Sequence, residues 1–333
     1  MPGQSWQLNS TGAYFSNDLL SKNLREIAQP LTRFRQFCDV QSEFGAHEGQ
    51  NLLFDKVMNV VTGGGELSEG VPIPKTNFTI TQGVCKAVPY GNSIPYTEEF
   101  EQFSEFDVSN PLQSRLIEDA AKTLDTAAEA AFAKTKIRYV PIDNVAPGAD
   151  SQWSTDGTAP VGVRRDMTPA DFAAVSDAMK SGNYAGKSSA PVPFYDNSEN
   201  YVCIGSVSAL RQLRNPQAAG ALSWREDVHY GDPARNFAGE AGRWEAIRFV
   251  EENHILGRLK DVDGTDSGKG GEAYMFGAQP VMEIQVVPME VRKNIPGDYG
   301  RDRGLGWFSI CGFQIIWEYN ETTEKDNRIV RIG

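Results

Sequence analysis

Cysteine and histidine, which often bind metals or take part in nucleophilic catalysis, are few and far apart in this chain. The cysteines are Cys38, Cys85, Cys203 and Cys311, and no two of them have the C-x-x-C spacing of metal and redox sites. Of the three histidines only His47 precedes a glutamate, and the H-E-x-x-H pattern of zinc peptidases is not completed. We therefore interpret the cysteines as buried, reduced thiols, and we expect no zinc site and no cofactor.

Three glycine-rich or acidic segments resemble ligand-binding loops, but each departs from its motif at a required position. In the segment 261–272, which has the composition of a calcium loop, glycine stands at the fourth place instead of the sixth. Gly268-Lys269 lacks the Ser or Thr that completes a phosphate-binding loop, and in the segment 304–309 Ser309 replaces the third glycine of a dinucleotide loop. The segment 261–272 is therefore interpreted as a polar turn, and no set of residues predicts an enzyme.

Composition narrows the class of protein further. The 333 residues include 32 basic and 44 acidic side chains, for a net charge of −12. Surfaces that grip nucleic acid are usually basic, so this balance argues against a nucleic-acid-binding module. No run of 18 apolar residues exists, and we expect no membrane span. The 32 glycines and 18 prolines predict many turns and long loops.

The N-terminal region predicts one helix with nothing nearby to cover it. Apolar residues recur at helical spacing between Ser16 and Pro30. They are Leu19, Leu20, Leu24 and Ile27. A single amphipathic helix on a polar leader cannot bury its own apolar face, so we expect it to lie on another surface.

The next segment predicts a two-stranded ribbon with an irregular tip. Residues 51–61 and 76–88 have the pattern of strands, and residues 62–75 form the loop between them. The candidate contact residues at the tip are Gly63, Gly64, Gly65, Leu67, Glu69, Gly70, Pro72, Pro74 and Lys75. Strands of this length reach on the order of 35–40 Å, and an isolated two-stranded ribbon is only marginally stable. We therefore expect a neighbouring subunit to support it.

A strand over residues 93–107 is predicted to lead into the strongest helical signal in the chain. Asn110 can cap a helix that starts at Pro111 and runs over residues 111–134. The predicted packing face of this helix includes Leu112, Leu116, Leu124 and Phe132.

The remaining segments mix helices and strands without a regular alternation, which predicts an α+β fold. We predict helices over 168–182 and 208–214, and strands over 200–205, 243–256, 281–291, 307–319 and 328–332. Loops are predicted over 138–167, 217–241 and 257–271.

The order of these elements resembles that of major capsid proteins of tailed bacteriophages, in particular the coliphage N4-like branch. No single motif carries the resemblance; the order and spacing of several do. They are Phe44-Gly45, Gly49, Leu67–Pro72, Tyr90-Gly91, Tyr96–Asp107, the helix 111–134, Gly239–Glu251 and Gly306–Tyr319. The resemblance covers nearly the whole chain.

The resemblance implies a division of the chain into the regions of that fold. These are an N-arm over 1–48, an extended E-loop over 49–90, a P-domain over 91–137 with its spine helix at 111–134, an A-domain over 138–283, and strands over 284–333 that return to the P-domain. Only about 50 residues precede the ribbon. We therefore expect no N-terminal scaffolding segment, and a separate scaffolding protein is implied.

The implied function is a shell protein without catalytic activity, located in the virion capsid and assembled in the cytoplasm of a bacterial host. Its implied partners are other copies of itself in hexamers and pentamers, a scaffolding protein, a portal and a decoration protein, around DNA that it encloses without reading. No membrane partner is expected. Two alternatives remain open: an encapsulin-like nanocompartment shell, and, in a different class, a soluble β-rich hydrolase with an unrecognised site.

Overall fold

The computed structural model describes most of the chain. The described residues are 32–41, 49–58, 65–70, 72–73, 75–104, 108–211, 213, 237, 239–261, 263–320 and 326–333. The predicted N-terminal helix, with Leu19, Leu20, Leu24 and Ile27, lies outside them.

The described residues contain four α-helices and seventeen strands. The helices are α1 (Glu98–Phe103), α2 (Ser109–Phe132), α3 (Pro169–Ser181) and α4 (Val207–Arg211). The strands are β1 (Asp39–Gln41), β2 (Asn51–Val57), β3 (Ile80–Lys86), β4 (Val88–Thr97), β5 (Arg138–Tyr139), β6 (Trp153–Ser154), β7 (Asn183–Tyr184), β8 (Lys187–Ser188), β9 (Tyr201–Ser206), β10 (Glu240–Trp244), β11 (Ile247–Glu252), β12 (Arg258–Lys260), β13 (Asp266–Gly271), β14 (Ala273–Phe276), β15 (Val281–Lys293), β16 (Asp302–Ile315) and β17 (Ile329–Ile332).

The strands form two main sheets. One has four strands in the order β1-β15-β16-β4, and the other has seven in the order β10-β11-β9-β14-β17-β5-β6. The pairs β2-β3, β7-β8 and β12-β13 form separate two-stranded ribbons. Helices and strands are mixed without a regular alternation, so the α+β prediction is confirmed.

The seven-stranded sheet is buried on both faces, which explains the continuous apolar run of its central strand. In β9, Tyr201 and Cys203 point into a core that also contains Phe172 and Met179 of α3. The alternating residues of β9, Val202 and Ile204, point into a second core on the opposite face.

The long helix α2 joins the two sheets. Its N-terminal half buries Leu116 in the core that covers the four-stranded sheet. Its C-terminal end buries Phe132 in the aromatic core against the seven-stranded sheet. Leu124 is also buried, whereas Leu112 is half-buried. The predicted helix is confirmed, but it begins two residues earlier, at Ser109, and ends at Phe132.

Asp119 fixes α2 to the four-stranded sheet through its carboxylate. The Trp307 indole N–H of β16 and the Asn92 side-chain amide of β4 both donate to it at 2.9 Å. The helix therefore cannot slide along the sheet without breaking both bonds.

The predicted helix over 168–182 is confirmed as α3. The Thr168 backbone N–H donates to the Asp171 carboxylate at 2.8 Å, which completes the N-terminal cap. Gly182 ends the helix in a left-handed conformation with φ of 65°.

The strand predicted over 93–107 is wrong beyond Thr97, because α1 follows. The Thr97 hydroxyl accepts the Phe100 backbone N–H at 3.3 Å and starts this helix. Arg303 then pairs with Glu98 at 2.9 Å and Glu101 at 2.7 Å, and so holds α1 on β16.

Two further predictions are wrong, because hairpins replace the predicted elements. The strand predicted over 243–256 is the hairpin β10-β11, which turns at Glu245 and Ala246 with φ of 46° and 60°. The polar loop predicted over 257–271 contains the hairpin β12-β13. The strand β14 was not predicted.

Candidate assembly surfaces

The ribbon β2-β3 has two faces of different character. Its antiparallel register places Leu53 opposite Val84 and Val57 opposite Ile80. Side chains alternate between the faces of a strand, so these two pairs share one face, which we call the outer face. The inner face carries the alternating residues, including Phe54.

The root of the ribbon is anchored to the rest of the molecule through its inner face. Cys85 is buried in a small core with Met282 and Ile284 of β15, and Leu52 and Phe54 pack against this core. The ring of Phe54 covers Gly83 on the opposite strand, where an added Cβ would overlap it. A glycine at this position is therefore what allows the aromatic ring to lie across the ribbon.

A cleft of about 290 Å³ separates part of the inner face from the body of the molecule. Its lining is mixed: Phe54 and Lys56 on the ribbon face Lys136 and Glu318 of the body. The Lys136 and Glu318 side chains pair across 3.0 Å. The inner face is thus apolar at the root and polar in the cleft.

The outer face is apolar and uncovered. Leu53 is 59% exposed and Val57 is 61% exposed, and their cross-strand partners Val84 and Ile80 are about half exposed. Between the two apolar pairs, the Gln82 amide donates to the Asp55 carboxylate at 2.9 Å. Apolar cross-strand pairs stabilise a ribbon best when something excludes water from them, so this face is suited to contact another surface.

The ribbon tip is also uncovered where the structure describes it. The predicted tip residues that are exposed are Gly65, Leu67, Glu69, Gly70, Pro72 and Lys75. Gly63, Gly64 and Pro74 lie outside the described residues. Gly70 has a φ of 83°, a left-handed conformation that favours glycine at this turn.

Residues 32–41, which we call the arm anchor, hold the chain to both α2 and β15. Asp125 of α2 accepts the backbone N–H groups of Arg33 at 3.1 Å and Arg35 at 3.0 Å. Burial raises the pKa of Asp125, and the bonds from the Arg35 and Arg33 backbone oppose this rise. Phe34 and Phe37 are buried in the aromatic core that also holds the end of α2.

The arm anchor also continues as a strand. Its residues in β1 pair in parallel with β15, where Val40 lies opposite Glu283. The anchor was not predicted from the sequence, because its partners lie far along the chain. Asp125 is 90 residues and Glu283 is 248 residues away from Arg35. One signal was available: Asp125 interrupts the apolar stripe of α2, between Leu124 and Ala128.

Of the residues first considered for chemistry, His47 and His229 lie outside the described residues. All four cysteines are unpaired, and three of them are buried. Burial raises the pKa of Cys85 and Cys311 to about 11. Within the part of the chain that the structure describes, no three His, Cys, Asp or Glu side chains converge on a metal position. In the same residues, no helix has the length and apolar character needed to cross a membrane.

Neither a family model nor a curated protein matches this chain. Comparison with solved structures, in contrast, finds many similar folds. The chain is similar to the capsid of Ralstonia phage GP4, with 13% identity, a TM-score of 0.64, and coverage of 95% of this chain and 94% of that chain.

Two further similar structures come from other hosts. The capsid of cyanophage Pam1 has 14% identity and a TM-score of 0.63, with coverage of 95% of each chain. The acid-stable capsid of Helicobacter pylori bacteriophage KHP30 has 10% identity and a TM-score of 0.64, with coverage of 95% of this chain and 94% of that chain. Because the match spans both sheets and the long helix, the chain has the mixed α+β fold of tailed-phage capsid proteins, as the sequence predicted.

Proposed function

We propose that this chain is the major capsid protein of a tailed bacteriophage, and that its copies assemble into the icosahedral shell of the virion. The observation that carries the proposal is the uncovered apolar outer face of a ribbon on a capsid-type fold. An apolar ribbon face contributes to stability when a neighbouring copy covers it and excludes water from it. The same reasoning favours a structural role over a catalytic one.

The regions of the chain follow from this proposal. The N-arm would cover residues 1–48, the E-loop 49–90, the P-domain 91–137 and the A-domain 138–283, with the return strands over 284–333. The last boundary falls inside β15, so the return strands are better drawn from Val281. The seven-stranded sheet would then belong mainly to the A-domain, although β17 of the last region also pairs within it, and the four-stranded sheet with α2 would belong to the P-domain.

We also propose the finer assignments that the sequence resemblance implies. The chain would belong to the coliphage N4-like branch, form hexamers and pentamers, and assemble in the host cytoplasm. Its further partners would be a separate scaffolding protein, a portal and a decoration protein. With a net charge of −12, each copy would enclose the DNA without gripping it strongly.

The direct test is the size of the assembled material. The full chain, expressed in bacteria with and without a scaffolding protein, should yield ring-shaped capsomers or megadalton particles in sedimentation and negative-stain electron microscopy. A stable 36.6 kDa monomer under every condition would contradict the proposal. Particles that package a cargo protein in place of DNA would favour the nanocompartment alternative.

The role of the ribbon has its own test. Deletion of residues 62–75 should leave soluble subunits that form no closed shells. The double substitution Leu53→Ser with Val57→Ser, which removes apolar area from the outer face, should act in the same direction. Asp55→Asn is the matched control, because Asp55 lies on the same face between the two apolar positions and its substitution removes no apolar area. Normal shells from the deletion would show that the ribbon is not an assembly element.

A further inference from the structure

Most of the carboxylates that are buried in the described part of the chain have an arginine partner. The pairs are Glu118 with Arg115, Asp171 with Arg165, Glu240 with Arg248, Glu272 with Arg331, and Glu283 with Arg35. Asp125 and Glu252, which are 1% and 0% exposed, form no ion pair with any described residue. A buried carboxylate without a counter-charge is energetically unfavourable, so these two side chains stand out from the others.

Each of these two carboxylates instead holds a segment of backbone. Asp125 accepts two N–H groups of the arm anchor, as described above. Glu252, at the end of β11, accepts the N–H groups of the turn that follows, those of Ile255 at 3.0 Å and Leu256 at 2.9 Å. It also accepts the N–H of His254. These bonds satisfy the carboxylate oxygens, but they do not bring a full positive charge to either side chain.

The arm anchor and the turn after β11 lie against the same part of the molecule. Phe34 of the anchor and Leu256 of the turn are both buried in the aromatic core at the end of α2. The Arg33 guanidinium of the anchor lies over Gly239, where an added Cβ would overlap it. The Gly239 carbonyl in turn accepts the Glu251 N–H of β11 at 3.1 Å. The two uncompensated carboxylates thus hold neighbouring segments.

The basic side chains near Asp125 do not neutralise it. The Arg35 guanidinium pairs with Glu283, and the Arg33 Nε atom is buried without a partner in the described part of the chain. A third basic side chain, that of His254, approaches Asp125, and its Nε2 atom is also buried without a described partner. The other titratable groups here, none of which supplies a positive charge, are Cys38 and Asp39 on the anchor, Glu129 on α2 and Tyr274 on β14.

The direction of the pH effect follows from burial. Burial raises the pKa of both Asp125 and Glu252, and the charge of Asp125 raises that of Glu252 further. The folded chain therefore takes up these protons before the unfolded chain does, and it gains stability as the pH falls from neutral toward about 4, the ordinary range of carboxyl groups. Histidine gains its charge as the pH falls from 8 to 5, so a proton on His254 acts in the same direction.

We propose that Asp125 and Glu252 form a proton-operated latch, which holds the arm anchor more tightly in mildly acid solution than at neutral pH. At neutral pH, two uncompensated negative charges oppose the packing of the anchor and of the turn after β11. Protonation removes this repulsion, while the carbonyl oxygen of each acid still accepts a backbone N–H. The latch is a property of the single subunit, so it goes beyond the proposed function and does not depend on shell assembly.

The test is amide hydrogen exchange of the unassembled full-length chain at pH 5.5 and pH 7.5, with rates corrected for the intrinsic pH dependence of exchange. The N–H groups of Arg33 and Arg35 should exchange more slowly at pH 5.5. The double substitution Asp125→Asn with Glu252→Gln removes both charges and should abolish this difference. Because it also removes one hydrogen-bond acceptor from each side chain, the informative quantity is the ratio of the rates at the two pH values.

Glu118→Gln is the matched control, since Glu118 is buried on the same helix but pairs with Arg115 at 2.6 Å. It should leave the ratio unchanged. Equal corrected rates at the two pH values in the wild-type chain would overturn the inference, as would a ratio that persists in the double variant or that Glu118→Gln abolishes equally. If the double variant does not fold, Glu252→Gln alone leaves the bonds between Asp125 and the anchor intact, and an unchanged ratio in that variant would contradict the latch.

Discussion

Arg35 and Glu283 form a bidentate ion pair that joins the arm anchor to β15. The Arg35 Nε and Nη2 atoms donate to the Glu283 Oε1 atom at 3.0 and 2.7 Å, and Nε also reaches Oε2 at 3.1 Å. The Glu283 side chain is only 1% exposed, whereas that of Arg35 is 36% exposed. A buried carboxylate thus depends for its charge balance on a residue at the start of the described chain.

Arg35→Ala should therefore destabilise the subunit by about 2–3 kcal/mol, because it leaves the Glu283 carboxylate buried and unpaired. The partial exposure of Arg35 keeps this figure below that for a fully buried pair. Urea denaturation of the free subunit measures the change. Arg301→Ala, which removes an exposed partner at 3.7 Å, is the control and should change stability by less than about 0.5 kcal/mol. Equal effects of the two substitutions would refute this account.

Gly83→Ala should loosen the ribbon root without unfolding the rest of the molecule. The added methyl group would overlap the Phe54 ring and push it out of its position across the ribbon. Hydrogen exchange should accelerate in residues 51–57 and 80–86 and stay unchanged in α2. Gly65→Ala is the matched control in the same ribbon, because an added Cβ there meets no atom within 4 Å. Unchanged exchange in the ribbon of Gly83→Ala would show that Phe54 does not anchor it.

Gly182 and Gly186 provide a matched pair for the cost of a side chain at a left-handed glycine. Both have positive φ, 65° and 75°, but an added Cβ at Gly182 would overlap the Ser189 carbonyl, whereas Gly186 faces open space. Gly186→Ala should lower the free energy of unfolding by about 1 kcal/mol, because alanine is strained in the left-handed conformation. Gly182→Ala should cost at least about 2 kcal/mol more, since backbone cannot move aside as a flexible side chain can. Thermal unfolding of the two variants gives the comparison, and equal Tm losses would contradict it.

The sequence predicted those parts of the fold whose signals are local. Pro111 and the long apolar stripe after it located α2, and Thr168 with Pro169 located α3. The ribbon was predicted from alternating apolar residues, and its start at Asn51 agrees with the structure. These elements are encoded by neighbouring residues, so a single sequence is enough to find them.

The missed features depend on contacts between distant residues or on weak turn signals. The β10-β11 hairpin turns at Glu245 and Ala246, which are not typical turn residues. The sequence therefore predicted a single strand over 243–256 in place of the hairpin. The Arg35–Glu283 pair is set by tertiary structure. Likewise, the pattern of the ribbon identified its strands, but only the register decides which apolar residues share its outer face.

The buried thiols should make the subunit sensitive to mildly alkaline conditions. Burial raises the pKa of Cys85 and Cys311 to about 11, and it also raises that of Cys203, from an ordinary value near 9. The unfolded chain therefore loses these protons first as the pH rises. Their contribution to stability is complete below pH 9 and is lost between about pH 9 and 11.

The free energy of unfolding should accordingly begin to fall near pH 9, before the tyrosines of the unfolded chain ionise near pH 10. Cys203→Ala lowers stability at every pH through the cavity that it leaves, so the informative quantity is the slope against pH, which should become shallower. A water-soluble thiol reagent, which reacts with exposed thiols, should label none of the three buried cysteines in the native subunit at pH 8. A flat pH profile in the wild-type protein, or an unchanged slope in Cys203→Ala, would show that the thiols do not control alkaline stability.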